Sequence, residues 1–330
     1  LGTYQTKREL NFKTNSMSGF EKDFLGTSYF VDLPDYKSYK TDIARNKKDN
    51  NDLLDYTYYS VLQSKSRKVP IFSASNIYRA KFTKVDRVGT FKIEGRINPA
   101  EQLNSKDYTR FNSIKAAIIE KGHMTKREDV QWDMQGNEKK AESAAKSTFF
   151  YPNAAPQHDR LNNGIWKYME NSIILKGGVK LPARVTVFTG PVLDKEDPLF
   201  KMQLSDNKTN FKVPVIFWKL IYYIKQDRKL YYAGFLMGQL NLLRKDGLIV
   251  EKAPKAVRKL KPLMQFLEFK DNEKYQVPVS FIEKLTRLKF SGAIDKHAGM
   301  PPVQLNEIQA KKRGLTNGSQ AAYRLSGLNV

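Results

Sequence analysis

The chain contains no cysteine, which excludes disulfides, thiolate zinc sites and a cysteine nucleophile, and leaves the redox compartment open. Histidine is scarce, with three in 330 residues, and none pairs with another at H-x-x-x-H or H-x-x-E-H spacing. A histidine-built zinc site of the protease kind is therefore not expected. The G-x-S-x-G elbow of a serine hydrolase is missing, as are the P-loop and the G-x-G-x-x-G turn, so nothing cradles a phosphate on a glycine-rich loop. No apolar run approaches the roughly 20 residues of a spanning helix, and no basic-then-apolar-then-small signal opens the chain. The numbering begins at Leu1 rather than Met, as expected of a processed or trimmed form, from which any export signal would already be absent. Acidic residues are also short: 34 Asp and Glu stand against 57 Lys and Arg, a net charge of +23. That imbalance favours a polyanionic partner, nucleic acid or an anionic membrane surface, through long-range attraction.

What is present suffices for a core. Hydrophobic residues make up 40% of the chain, enough for one large domain or two small ones. Residues 1–50 are polar and weakly periodic, with "GFEKDFLG" (Gly19 to Gly26) as an apolar island and Ala44 to Asp52 as a surface loop, and they read as an arm draped on the domain. The runs "YTYYSVLQS" and "RKVPIFSAS" flank the charged turn Lys65 to Lys68, a hairpin that begins a sheet. Three later runs, Ala183 to Leu193, Val213 to Ile224 and Lys229 to Gln239, have the same β-branched and aromatic character and read as central strands. Helical signals fall at Lys139 to Phe149, at "LNNGIWKYMENSI" with its stripe Leu161, Ile165, Tyr168 and Ser172, and at Pro278 to Leu288. Glu251 to Pro262 is a basic, proline-bounded loop, and residues 291–330 read as a tail or loosely docked extension. Strands joined mostly to strands predict an α+β fold, a central antiparallel sheet flanked by helices, with its domain over residues 51–290.

Two segments carry groups suited to chemistry. In "IIEKGHMTKRED" one histidine follows a glycine between an apolar run and alternating charges. Histidine accepts a proton near neutral pH, and a strand end beside a glycine is well placed to aim one into a cleft. Taken by itself, His123 reads better as an ordinary surface or hydrogen-bonded loop histidine. The second segment, Tyr151 to Asn171, spreads Asn153, Gln157, Asn162, Asn163 and Glu170 over one loop and a helix. Asn and carboxylate oxygens suit Mg²⁺, which keeps several waters and takes one or two protein groups. Asn162 and Glu170 would lie about 12 Å apart along a helix, too far to ligate one ion directly. Asn162 as the direct ligand, with Glu170 leaning back to hold metal-bound water, is the workable division. A helix cap and a solvated helix face is the plainer alternative.

The two segments together resemble the DNA/RNA non-specific endonucleases of the ββα-metal, or His-Me finger, group. Their hallmark is a D-R-G-H tetrad, then T-F-x-x-x-N-x-x-P-Q, then L-N-x-G-x-W-x-x-L-E. This chain has "EKGH" (Glu120 to His123), "STFFYPNAAPQ" (Ser147 to Gln157) and "LNNGIWKYME" (Leu161 to Glu170) in that order. Agreement extends through "INPAEQLNSKDYTRFN", "VFTGPVL", "VPVIFWKLIYY" and "FIEKLTRLKF", and covers roughly residues 19 to 290. The resemblance implies a ββα-metal site between Lys115 and Glu170, with His123 as general base, Glu120 beside it, Asn162 as ligand of one Mg²⁺ (Mn²⁺ as substitute) and Glu170 supporting the metal's water. It further implies that Asn153 and Gln157 orient the loop or touch the substrate backbone, and that the products carry 5′-phosphate and 3′-hydroxyl ends.

Departures from the pattern retune that expectation. The tetrad's aspartate is Glu120, one methylene longer, and its forked arginine is Lys121, a point charge. Where some relatives have an arginine one turn past the glutamate, this chain has Ile174, and Arg67 and Arg110 are the candidates for the arginine that leads into the first strand. Lys126 and Arg127, with Lys65, Arg67 and Lys68, are placed to neutralise phosphates or to be ordinary solvated charges. Trp166 is either a packing wedge or a platform for a base. DNA and RNA are the expected partners, with a homodimer and an inhibitor protein as further candidates. Secretion or the periplasm is the expected location, with an organelle as the alternative. Two rivals remain at this level: a nucleic-acid-binding protein that has lost turnover on the same scaffold, and an effector or toxin nuclease held by a partner protein.

Overall fold

The computed structural model describes residues 18–86, 89–162, 184–201, 211–250, 274–309, 323–326 and 328–330. In chain order the elements are β1 (Leu53–Tyr56), β2 (Tyr59–Gln63), β3 (Pro70–Tyr78), α1 (Ser105–Phe111), β4 (Ile119–His123), α2 (Glu138–Ser147), β5 (Ala154–His158) and α3 (Asp159–Asn162). There follow β6 (Arg184–Pro191), β7 (Leu199–Phe200), β8 (Ile216–Ile224), β9 (Leu230–Gly238), α4 (Leu240–Lys245), β10 (Ile249–Val250), β11 (Lys274–Val277), α5 (Val279–Thr286), β12 (Ile294–Asp295), β13 (Val303–Gln304), β14 (Asn306–Gln309) and β15 (Tyr323–Ser326). Nine strands form one sheet in the order β1-β2-β3-β6-β8-β9-β11-β13, with β12 beside β9. Every ladder in it is antiparallel except β12 on β9. The fold is α+β, a large antiparallel sheet with few helices.

Both faces of the sheet are covered, so the central strands are buried along their length: every residue of β3 is buried, the polar Ser73, Ser75 and Asn76 included, as is β8 up to Tyr223. On one face Phe188 meets Phe20, Phe72, Tyr222 and Phe290. There Asn76 also ties down the N-terminal segment, accepting from Glu21 N at 2.7 Å and donating to Glu21 O at 3.2 Å. The opposite face carries the segment with β4, α2, β5 and α3. Ser73 and Thr125 share a hydroxyl contact of 2.6 Å, the Tyr59 hydroxyl donates to Ser147 O, and the Trp132 indole donates to Asn76 O.

One turn differs from the sequence expectation. "YTYYSVLQS" is not a single run but two strands folded back at Thr57 and Tyr58, where Tyr58 has φ 69°. No glycine or asparagine marks this turn; Tyr58 is held there by stacking on Trp132 at 3.8 Å and by burial. The helix expected at Lys139 to Phe149 is α2, capped by Asn137, and the one at Pro278 to Leu288 is α5, with Pro278 at its N-cap. From residues 291–330, β12 and β13 add to the main sheet. The stripe Leu161 to Ser172 beyond Asn162, and the loop Glu251 to Pro262, lie outside the described residues. No helix among the described residues is long and apolar enough to cross a membrane.

Candidate active site

β4 and β5 form a separate two-stranded antiparallel sheet, with Ile119 opposite His158, Glu120 opposite Gln157, and His123 opposite Ala154. α3 starts directly after β5, so the unit is strand, strand, helix. Alternation along β4 puts Glu120 and Gly122 on one face and Lys121 and His123 on the other. Gly122 is required by close approach: a Cβ there would meet Gln157 Oε1 at 1.9 Å and Cγ at 2.6 Å. Gln157 is buried, and its Oε1 has no hydrogen-bond partner among the described residues.

On the Glu120 face, the Asn162 amide donates to Glu120 Oε2 at 2.6 Å. A carboxylate can only accept, so the amide nitrogen must face it and the amide oxygen takes the other branch of the planar group. The longer Glu120 thus reaches α3 directly. On the other face the His123 ring packs against the contacting pair Phe91, at 4.8 Å, and Phe149, at 5.0 Å and edge-on at 87°. Lys121 lays its ammonium over Tyr108 at 5.0 Å and Phe91 at 5.9 Å. Burial pushes the Tyr108 phenol well above its ordinary value and raises that of Tyr151, so the aromatic floor under Lys121 is uncharged.

Behind His123 the chain is fixed by Asn153, which is fully buried. Its amide accepts from Thr125 N at 2.9 Å and donates to Thr125 O at 2.8 Å and Thr148 O at 3.0 Å, while its carbonyl accepts from Met124 N. A 3₁₀ turn, Arg127–Asp129, follows at once. Arg127 donates to Val85 O, Asp86 O and Glu128 Oε1, which pins the preceding loop against this turn.

These pieces meet around one cleft of about 240 Å³ lined by His123, Lys126, Arg127, Glu128, Phe149 and Asn162. Glu120, Lys121, Asn153 and Gln157 stand behind these walls rather than on them, and Arg67 and Arg110 are also off the lining. The Arg67 guanidinium bonds Asp197 at 2.5 Å, Asp194 O and Lys212 O, and its side chain is 14% exposed. Arg110 sits in the last turn of α1. Glu170, Trp166 and Ile174 lie outside the described residues. Phe91, Phe149 and Glu128 were not expected as site residues from the sequence; Phe149 is the first of the two phenylalanines in "STFF", and only the fold brings Phe91 to it.

A strand-strand-helix unit with an asparagine and a histidine on one cleft agrees with the match of the DNA/RNA non-specific endonuclease family to residues 40–296. The chain belongs to this family. Its relatives include the Uncharacterized protein y4fB of Sinorhizobium fredii, 24% identical over 249 residues, 74% of this chain and 34% of that protein. Another is the Nuclease of Serratia marcescens, 24% identical over 152 residues, 45% of this chain and 50% of that one. The chain spans at most half the length of these two relatives. Among solved structures, a chain of an EndoG/EndoGI complex is 20% identical with a TM-score of 0.45, covering 72% of this chain and 84% of that one.

Proposed function

We propose that the chain is a metal-dependent, sugar-non-specific endonuclease that hydrolyses phosphodiester bonds of DNA and RNA and leaves 5′-phosphate ends. The observation that carries the reading is the sharing of one cleft by His123, Asn162, Lys126 and Arg127. His123 accepts the proton of the attacking water at a ring nitrogen, and Phe91 and Phe149 hold its plane. Asn153 keeps the loop beyond His123 in register, which is the loop-orienting task of the two that the family pattern allows it. Lys126 holds phosphate oxygens, Arg127 lines the same cleft with its guanidinium taken by Val85 O, Asp86 O and Glu128, Lys121 adds positive charge behind His123, and Gln157 packs the strand pair that carries both sides of the site.

The residues present fit a hydrated divalent cation. Among the described residues there is no cluster of three or more His, Cys, Asp or Glu that could enclose a metal. Mg²⁺ needs no such cage, since it keeps most of its waters, and Mn²⁺ is its expected substitute. Asn162, its nitrogen spent on Glu120, offers its oxygen as the direct ligand, and Glu170 is assigned to a metal-bound water. Bound there, the cation supplies charge neutralisation at the leaving oxygen.

Incubation of plasmid DNA and of RNA with and without a chelator tests this. Cleavage is expected with Mg²⁺ and none after chelation. His123→Ala is expected to lower cleavage by at least about a hundredfold while DNA retardation in a gel persists. Retardation by the wild-type chain without any cleavage in Mg²⁺ would make it a binding protein instead.

A further inference from the structure

His158 is fully buried at the end of β5, four residues before Asn162. Its Nε2 lies 2.8 Å from Asp246 Oδ2, at the C-cap of α4, and its Nδ1 lies 2.7 Å from Asp159 Oδ1 and 3.2 Å from the Arg160 N–H in the first turn of α3. Asp246 also takes Lys115, just before β4, at 2.6 Å through its other oxygen. Lys115 first, and His158 after it, hold the Asp246 carboxyl below its ordinary range, so it is an anion that accepts from Nε2–H. About two turns earlier, at the N-cap of α4, Gln239 accepts from His158 N at 2.8 Å and donates to Pro156 O at 3.2 Å and Pro214 O at 2.7 Å, standing in for a strand along the outer edge of β5. The strand pair of the candidate site shares no strand with the main sheet, so α4 grips it at both Gln239 and Asp246.

From this we infer that His158 is a positioning residue for Asn162: clamped by Asp246 on one side and by the first turn of α3 on the other, it sets the pitch at which that helix leaves β5. The inference rests on the proposed role of Asn162 at the metal. It uses no contact between His158 and substrate or ion.

Two substitutions separate the two links. The amide of Gln reaches the place of Nε2 and keeps the bond to Asp246; the amide of Asn ends at the place of Nδ1 and loses it. Mg²⁺ binding is measured by calorimetry on the full chain, alongside cleavage and amide hydrogen exchange at residues 159–162. His158→Asn, which loses Asp246, and His158→Gln, which loses the first turn of α3, are each expected to weaken Mg²⁺ binding roughly tenfold, with cleavage at saturating Mg²⁺ changed far less, and to speed exchange over 159–162. Equal Mg²⁺ affinity in all three chains, or weakened binding with exchange over 159–162 unchanged, overturns the assignment. Should the wild type bind no Mg²⁺ while His158→Asn still speeds exchange, the metal reading fails and the clamp on α3 stands alone.

Discussion

Gly122 shows what a single residue does in this site. Gln157 lies across it so closely that even one added methyl would have to displace a buried side chain. Gly122→Ala is expected to cost about 1–3 kcal/mol through overpacking and to depress cleavage, because the strand holding His123 must move. Denaturant melts alongside cleavage rates check it, and an unchanged midpoint would show that Gln157 has somewhere to go. Much at this scale was readable beforehand. His123, Glu120 and Asn162 stand in family order, and the structure brings Asn162 to Glu120 and to the cleft of His123. Phe91 and Phe149 were not readable, since an aromatic in a strand-like or apolar context reads as core. Only the packing of distant segments puts those rings against an imidazole. Arg67 illustrates the converse, since a basic residue in a hairpin turn reads as a phosphate contact, yet here three acceptors of the protein's own take its guanidinium.

At the scale of elements, that same arginine joins the turn between β2 and β3 to the loop after β6. Burial pushes its partner Asp197 up to about 7, with the Arg67 charge pulling the other way. A carboxyl whose value in the fold lies above its unfolded value holds its proton more tightly when folded. Its contribution is therefore whole below about pH 4 and is lost as pH rises through about 7. Urea melts are expected to show stability falling between about pH 4 and pH 7, and Asp197→Asn to flatten that decline; parallel curves would place the titration elsewhere. The long strands were readable from their runs of β-branched and aromatic residues, and α2 and α5 from composition and caps. The turn at Thr57 and Tyr58 was not, because its backbone is held by Trp132 from another part of the chain rather than by a residue that favours such a turn.

For the whole molecule, charge and construction act separately. A net charge of +23 draws any nucleic acid regardless of sequence, and such binding weakens steeply with salt because counterions are released. Retardation of DNA by the His123→Ala chain should therefore fall linearly in a log–log plot against salt, with a slope of several; a flat response would mean that contacts other than phosphates dominate. Construction is in two parts. The nine-stranded sheet and the unit of β4, β5 and α3 share one buried core, to which Ile119, Ala155 and Leu161 contribute, but no ladder of backbone hydrogen bonds joins them; Gln239 bonds β5, and Ser73 with Thr125 and Tyr59 with Ser147 tie the flanking segments. Units joined in that way open more readily than the sheet they rest on. Heating should accordingly abolish the proposed cleavage before the main sheet unfolds. Residual cleavage after brief incubation, set beside the circular-dichroism melt, is expected to fall some degrees earlier, and coincident curves would mean that site and sheet melt as one cooperative body.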